Sequence, residues 1–317
     1  MHPAFSVIFF TVTSGAGYGL IALLGLFQFL HFGIFLDKNT FFISALIAFL
    51  LFTMGLISST FHLANPKNAW RAFMRFRTSW LAREGLLAIL FYPFLFLYLY
   101  LTYIDYQIAN FILMQIYSFA IFIFAIVIIY CTGMIYACLK TIPQWNTLWT
   151  PVNYISIGVF LGSLIFFFIL DFFNYEVDPY KFYLLLAIAF AFFMKLIYYF
   201  RIREPRHNIG QATNAAIKLK DTNVRLLDVG HTGSTFLTDE FGYKVASRKL
   251  LKIKLFAIIS GFFIPFLLVY IHSFIYENLI FCLTAIFLAF IGMVAERWLF
   301  FAQAKHVVNL YHGSQNV

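Results

Sequence analysis

The sequence predicts an all-α polytopic membrane protein, a bundle of eight transmembrane helices that forms one membrane domain over residues 1–317. Of its 317 residues, 62% are hydrophobic and 11% are charged, whereas a soluble domain has about 45–50% apolar and about 25% charged residues. The mean hydropathy of +0.86 also excludes the soluble globular class. The third observation is a series of eight long apolar segments.

Each apolar segment is long enough to cross a bilayer, because a hydrocarbon core of about 30 Å needs about 20 helical residues. Lipid offers no hydrogen bonds to the backbone, so these segments must be helical. We expect the first to be a retained span, since no Lys or Arg precedes it and its apolar core exceeds that of a signal peptide. The segments are 5–30, 41–63, 84–104, 111–139, 152–173, 180–200, 255–275 and 279–301.

The first span contains the glycine-rich sequence Gly15-Ala16-Gly17-Tyr18-Gly19. A dinucleotide-binding loop would need a preceding strand, which this sequence lacks. Gly15 and Gly19 are four residues apart, which is typical of a face where two membrane helices pack closely. We therefore interpret them as packing residues.

Basic residues are distributed unevenly between the two sides of the membrane. The side with the termini and the loops 64–83, 140–151 and 201–254 carries 19 Lys and Arg, against only Lys38 and Lys181 on the other side. Cytoplasmic loops collect basic residues, so both termini are predicted to be cytoplasmic. The net charge of +9 is thus assigned to topology rather than to nucleic-acid binding. The predicted location is the inner membrane of a bacterium.

Cysteine and histidine spacing argues against a metal or haem centre within the chain. Cys131, Cys138 and Cys282 form no CxxC pair and are expected to be small buried residues. A b-type haem usually needs two axial histidines at matched depth. A His31–His272 pair is possible on the side opposite the termini, but both are expected at loop edges. We predict neither haem nor a metal site.

The densest group of ionisable residues runs from Ser58 to Glu84. Asn65 and Pro66 are a favourable N-cap and first residue for a helix. Residues 64–83 are therefore predicted to form an amphipathic segment in the cytoplasmic interface, contacting lipid headgroups or an extrinsic partner. Arg77 falls on the aromatic side of that helix. Its two expected faces are the cations Lys67, Arg71 and Arg75 and the aromatic residues Trp70, Phe73 and Trp80.

His62 and Glu84 flank this segment at the ends of two consecutive spans. A histidine and a carboxylate there could hydrogen-bond a quinone carbonyl and transfer its protons, because the imidazole pKa of about 6.5 is near operating pH. The alternatives are an interfacial histidine for His62 and a helix N-terminal cap for Glu84.

Two further regions are candidates for function. Glu296 and Arg297 lie within an apolar span and need partners, which predicts a structural ion pair or a proton path. Lys195 is expected to snorkel to the cytoplasmic side. The long polar loop 201–254 is predicted to face a partner, since loops of this length are usually functional.

Five segments taken together resemble a known family. They are similar to the DmsC-type membrane anchor subunits of molybdopterin oxidoreductases, named for the dimethyl sulfoxide reductase anchor. The N-terminus and the 201–254 loop resemble more closely the SoeC-like branch, the anchors of cytoplasm-facing sulfite dehydrogenases. The segments are MHPAFSVIF, SSTFHLANPKNAWRAFMRFRTSWLAREG, MIYACLKTIPQW, VRLLDVGHTGSTFLTDEFGYKVA and AERWLFFAQAKHVVNLYHG.

The resemblance implies an anchor without cofactors of its own. It would bind an iron–sulfur subunit and a molybdopterin catalytic subunit, which hold the clusters and the molybdenum cofactor, and it would exchange electrons with ubiquinone or menaquinone. The family's quinol-site histidine matches His62, and its acidic residue matches Glu84. Position adds weaker quinone-binding candidates: Arg71, Arg77 and Trp298. The candidates for partner docking are Lys67, Arg75, Arg83, Arg225 and His231.

The most favoured function is the anchor of a sulfite:quinone oxidoreductase. The alternative within the family is a dimethyl sulfoxide reductase anchor that oxidises quinol. A secondary transporter would need ionisable groups near the membrane midplane, whereas nearly all of them lie at the span ends. A purely structural anchor would leave His62 and Glu84 as capping and packing residues.

Overall fold

The computed structural model describes residues 3–30, 36–63, 65–104, 111–202, 218–219, 227–228 and 246–312. Within these ranges every regular element is helical, and eight helices are long and apolar enough to cross a membrane. The predicted all-α class and the number of spans are thus confirmed. The helices are α1 (Phe5–Leu30), α2 (Lys38–Thr60), α3 (Trp80–Tyr103), α4 (Phe111–Ala137), α5 (Trp149–Phe172), α6 (Asp178–Arg201), α7 and α8 (Leu279–Ala302). Helix α7 comprises Ser247–Ile258, a π-helical turn Ile259–Phe263 and Ile264–Phe274.

Polar caps, rather than the edges of the apolar runs, set the starts of α2 and α3. The Asp37 carboxylate accepts hydrogen bonds from the first backbone N–H groups of α2, including that of Asn39 at 3.1 Å. Hydrogen bonds from Thr40 and Tyr175 lower the pKa of the Asp37 carboxyl. Ser79 caps α3 in the same way, through the N–H of Ala82 at 3.3 Å. Both helices therefore begin earlier in the chain than hydropathy predicts.

The helices run in alternating directions between two faces of the bundle. At the face where α1 begins, here called the proximal face, Ser58 Oγ near the end of α2 donates to Ser6 O at 2.9 Å. At the opposite, distal face, Lys38 Nζ at the start of α2 donates to Tyr103 O at the end of α3, at 3.0 Å. With eight helices in alternation, both ends of the described chain lie at the proximal face.

Helix α1 is the centre of the bundle and packs against α2, α4, α5 and α8. A Cβ atom at Gly19 would lie 2.0 Å from the carbonyl oxygen of Gly158 on α5, and one at Gly162 would lie 2.4 Å from the Gly19 backbone. A Cβ atom at Gly15 would be in ordinary contact, 3.8 Å from Gly158 Cα. The predicted close packing is confirmed, with Gly19 as its tightest point.

The π-helical turn in α7 lies where this helix crosses α8. A Cβ atom at Gly292 would lie 2.3 Å from the backbone of Gly261, which belongs to the turn. A π-helical turn accommodates one extra residue in the helix. The widened turn thus brings the two glycine backbones into close approach, so α7 and α8 pack as a tight pair.

One expectation about cysteine burial is wrong. Cys138 is exposed, unlike Cys131 and Cys282, because α4 ends at Ala137 and Cys138 is the next residue. His272 lies in the last turn of α7, near the loop as expected, and its ring is buried against Phe167 of α5. His31, the other histidine considered for a haem, lies outside the described residues.

Candidate functional site

The segment between α2 and α3 forms a short helix bounded by turns. After α2 ends, the chain turns at Phe61–His62 and forms a 3₁₀ helix over Pro66–Arg75. Pro66 is its first residue, as predicted, and Asn65 is the N-cap, although the Asn65 side chain makes no capping hydrogen bond. A second turn leads to Ser79 and α3.

The helix type changes which side chains share a face. A 3₁₀ helix has three residues per turn, so Lys67, Arg71 and Arg75 point to three different sides instead of one. Arg77 lies beyond the helix, so its assignment to the aromatic side is wrong. All four cations are exposed, and so is Trp70. The segment therefore presents cations and apolar surface together on several sides.

Arg83 stabilises the turn that precedes α3. Its Nε donates to the carbonyl oxygen of Phe76 at 3.0 Å, and its Nη2 donates to that of Arg77 at 2.7 Å. The guanidinium also stacks over the ring of Trp80, with its carbon 4.2 Å from the ring centroid. Arg83 thus has a structural role whether or not it contacts a partner.

Glu84 is buried between α3 and α4, with 5% of its surface exposed. The hydroxyl of Thr132 on α4 donates to Glu84 Oε1 at 2.7 Å. Because α3 begins at Trp80 and is capped by Ser79, the alternative of Glu84 as a helix cap is wrong. A carboxyl group inside a membrane bundle is costly, which makes Glu84 a candidate for function.

His62 is exposed in the turn after α2. Within the described part of the chain, its imidazole has no hydrogen bond or ion pair. The neighbouring Phe61 is 79% exposed, so the histidine lies beside free apolar surface. None of the described contacts joins His62 to Glu84, whose hydrogen bond goes to α4 instead. The two residues predicted to act together are therefore not in direct contact.

A buried ion cluster joins α6 and α8. Lys195 Nζ pairs with Glu296 Oε1, and Arg297 Nη1 lies 3.0 Å from Glu296 Oε2. These residues are only 2%, 1% and 2% exposed, in that order. The expectation that Lys195 snorkels outward is wrong, because Glu296 provides a countercharge inside the bundle.

Tyrosine rings surround this cluster. The Arg297 guanidinium carbon lies 3.8 Å from the ring centroid of Tyr154, and Lys254 Nζ lies 3.6 Å from that of Tyr199. Cation–π contacts of this kind are stronger where water is excluded. Sequence reasoning missed both tyrosines and Lys254, because tyrosines in an aromatic-rich span carry no distinguishing signal.

The α4–α5 loop closes the proximal face over this cluster. Trp145 Nε1 donates to the carbonyl oxygen of Phe300 in α8 at 2.9 Å, and the Tyr198 hydroxyl of α6 donates to Gln144 O at 3.1 Å.

Trp298, a predicted quinone-binding candidate, is half-buried on the same helix as Phe300. The predicted docking residues Arg225 and His231 lie outside the described residues.

Two comparisons with known proteins agree with this architecture. The family model for the DMSO reductase anchor subunit (DmsC) matches residues 1–303. The sulfite dehydrogenase of Allochromatium vinosum has a subunit, designated C, that is 30% identical over 336 aligned positions, which cover 99% of this chain and 99% of that protein. With its eight apolar helices, this multi-pass membrane protein belongs to the DmsC family of anchor subunits.

Proposed function

We propose that this protein is the membrane anchor and quinone-binding subunit of a molybdoenzyme complex that oxidises sulfite. The observation that carries the proposal is the end-to-end similarity to the sulfite dehydrogenase protein of Allochromatium vinosum, together with the family match. In this function, electrons pass from a molybdopterin catalytic subunit through an iron–sulfur subunit to quinone in the bacterial inner membrane. The family name favours one alternative, a dimethyl sulfoxide reductase anchor with the opposite electron flow.

Two properties of His62 at the proximal face support the proposal of a quinone site. The imidazole of His62 has no partner among the described residues and lies beside exposed Phe61, so it can hydrogen-bond a quinone carbonyl at the lipid boundary. Reduction of a bound quinone takes up two electrons and two protons. His62 holds the carbonyl and supplies a proton from the aqueous side, since its exposed imidazole can act as a general acid.

Glu84 is proposed as the second proton donor. It is buried at the proximal end of α3, and Thr132 holds one of its carboxylate oxygens in place. A carboxyl group that is held in an apolar environment can transfer a proton without bulk water. The weaker candidates Arg71, Arg77 and Trp298 would orient the quinone from the same face.

The exposed segment Pro66–Arg83 is proposed to receive the iron–sulfur subunit in the cytoplasm. Its cations point to several sides and stand beside exposed Trp70 and Met74. Such a mixture of positive charge and apolar surface suits either a protein surface or lipid headgroups. The 19-to-2 distribution of basic residues supports a cytoplasmic location for this face.

A pull-down of the tagged chain from gently solubilised native membranes tests the complex. We expect the eluate to contain molybdenum and iron and to reduce quinone with sulfite. Both metals with activity only on sulfoxides would keep the anchor role and reverse the electron flow. A chain that purifies alone, without molybdenum or iron, would contradict the anchor proposal and restore the transporter alternative.

The substitution His62→Gln tests the quinone site in that complex. We expect quinone-linked turnover to fall about 100-fold or more, because general acid–base catalysis typically contributes that much. Turnover with a soluble dye that accepts electrons from the partner subunits should stay unchanged. His306→Gln, at another histidine beyond the proximal end of α8, is the matched control. Full quinone-linked turnover in His62→Gln would remove the central role of this residue.

A further inference from the structure

Three potential metal ligands meet at the distal face, far along the chain from one another. Asp171 is in the last turn of α5, His272 is in the last turn of α7, and Cys282 is in the first turn of α8. A carboxylate oxygen, an imidazole nitrogen and the thiol sulfur of these residues all lie within 4.8 Å of one another. These are the three ligand types that zinc takes from proteins.

His272 and Asp171 approach each other without a hydrogen bond. His272 Nε2 and Asp171 Oδ2 lie 3.1 Å apart, which is within ion-pair distance when the imidazole is protonated. Both atoms are buried, and neither makes a hydrogen bond among the described residues. His272 is 2% exposed, so bulk solvent does not reach its ring. The buried cluster thus contains two potential ligand atoms that no hydrogen bond occupies.

The backbone of Asn278 orients the imidazole. His272 Nδ1 lies 3.1 Å from the carbonyl oxygen of Asn278 and 3.0 Å from its N–H. Because the Asn278 N–H donates to Nδ1, the ring proton is on Nε2. For a metal to bind Nε2, this proton would have to shift to Nδ1, where the Asn278 carbonyl oxygen can accept it. A hydrogen bond of this kind, from the nitrogen that does not bind the metal, accompanies almost every metal-bound histidine.

Distances and charge both fit a tetrahedral divalent cation. With zinc bonds of about 2.0–2.3 Å, neighbouring ligand atoms stand about 3.3–3.6 Å apart. The observed cluster therefore needs only a small side-chain adjustment. Binding would displace the proton of the Cys282 thiol. The thiolate and the Asp171 carboxylate then neutralise the two positive charges, which a low-dielectric site requires.

We propose that Asp171, His272 and Cys282 form a zinc-binding site that ties α5, α7 and α8 together at the distal face. Three protein ligands leave the fourth position for water. The site is independent of the proposed quinone function, which uses the proximal face. Sequence spacing carries no sign of it, because its members come from three separate helices.

Metal binding by the purified full-length chain in mild detergent tests the site. The chain should carry Cys138→Ser, which removes the exposed thiol at the proximal face. After treatment with a chelator, we expect it to bind one Zn²⁺ in competition with a chromophoric chelator. Co²⁺ should produce a thiolate-to-metal charge-transfer band.

Matched variants decide whether these three residues are the ligands. Cys282→Ser should abolish the cobalt charge-transfer band and weaken zinc binding at least about 100-fold, and Asp171→Asn should weaken it similarly. Cys131→Ser, at the other buried cysteine, should change neither signal. Absence of stoichiometric zinc binding in a folded chain would overturn the proposal. So would equal binding by the Cys282→Ser variant.

Discussion

Two groups of basic residues at the proximal face differ in almost every physical respect. Lys195 and Arg297 are buried around Glu296, and each stacks on a tyrosine ring. Four cations of Pro66–Arg83 are exposed and Arg83 is half-buried. Among the described residues, Arg83 alone of that group is bonded to the chain, through two carbonyl oxygens. The first group holds α6 against α8, whereas the second is available to other molecules.

This difference shows that the number of cations on one side and the surroundings of each cation determine different properties of the protein. The excess of basic residues on one side predicts orientation, and every cation contributes to it equally. The energetic role of each cation depends on whether water or a countercharge surrounds it. Substitutions in the buried group should therefore reduce stability most, and substitutions in the exposed group should reduce partner binding most.

The largest effect on stability is expected for Glu296→Gln. This change leaves Lys195 and Arg297 buried without a countercharge, and removal of one partner from a buried pair costs about 3–5 kcal/mol. Unfolding by SDS titration in mixed micelles, followed by circular dichroism, measures the loss. Glu176→Gln, at an exposed position, is the control and should change stability by less than about 0.5 kcal/mol. Equal effects of the two changes would contradict the role of the cluster.

A smaller loss is expected for Lys195→Met. Arg297 remains 3.0 Å from Glu296, so the carboxylate keeps one countercharge, and the lost interaction is that of one charged hydrogen-bonding group. The expected cost is about 1–3 kcal/mol in the same SDS titration. A loss as large as that of Glu296→Gln would mean that Arg297 does not neutralise Glu296.

A still smaller effect is expected for Arg83→Gln in the exposed group. It removes two hydrogen bonds to carbonyl oxygens and the stacking on Trp80. Water can reach this half-buried site and replace these bonds, so the expected cost is about 0.5–1 kcal/mol. Proteolysis of the segment before α3 should accelerate, whereas cleavage elsewhere stays unchanged. Unaltered proteolysis would argue against a structural role for Arg83.

The smallest effect on stability is expected for the double variant Arg71→Gln and Arg75→Gln. Both side chains are exposed, so the change should be within about 0.5 kcal/mol. Recovery of the iron–sulfur subunit in the pull-down should nevertheless decrease several-fold at low salt, and the difference from the unmodified chain should become smaller at high salt. Unchanged recovery with an intact bundle would show that this segment contacts lipid instead of the partner.

The spans and the α1 packing face follow from local sequence, because length, hydropathy and glycine spacing act within one helix. The ion cluster does not, because Lys195 and Glu296 meet only when α6 packs on α8. The sequence predicts an α-helix from Pro66, whereas the structure has a 3₁₀ helix there. Either type of helix can begin at this proline, and the choice between them depends on tertiary contacts. The burial of Glu84 likewise depends on Thr132 of a different helix.

The close packing of Gly19 against Gly158 and Gly162 has a consequence for biogenesis. During synthesis, α1 enters the bilayer long before α5 has been translated. Until then its narrow glycine face lies against lipid chains, which cannot match the contact that another backbone makes with it. The first helix can therefore pack on α2 early, whereas its glycine face acquires its native neighbour only after α5 has been made. The ribosome-bound intermediate is therefore an incomplete bundle until its fifth helix has been translated.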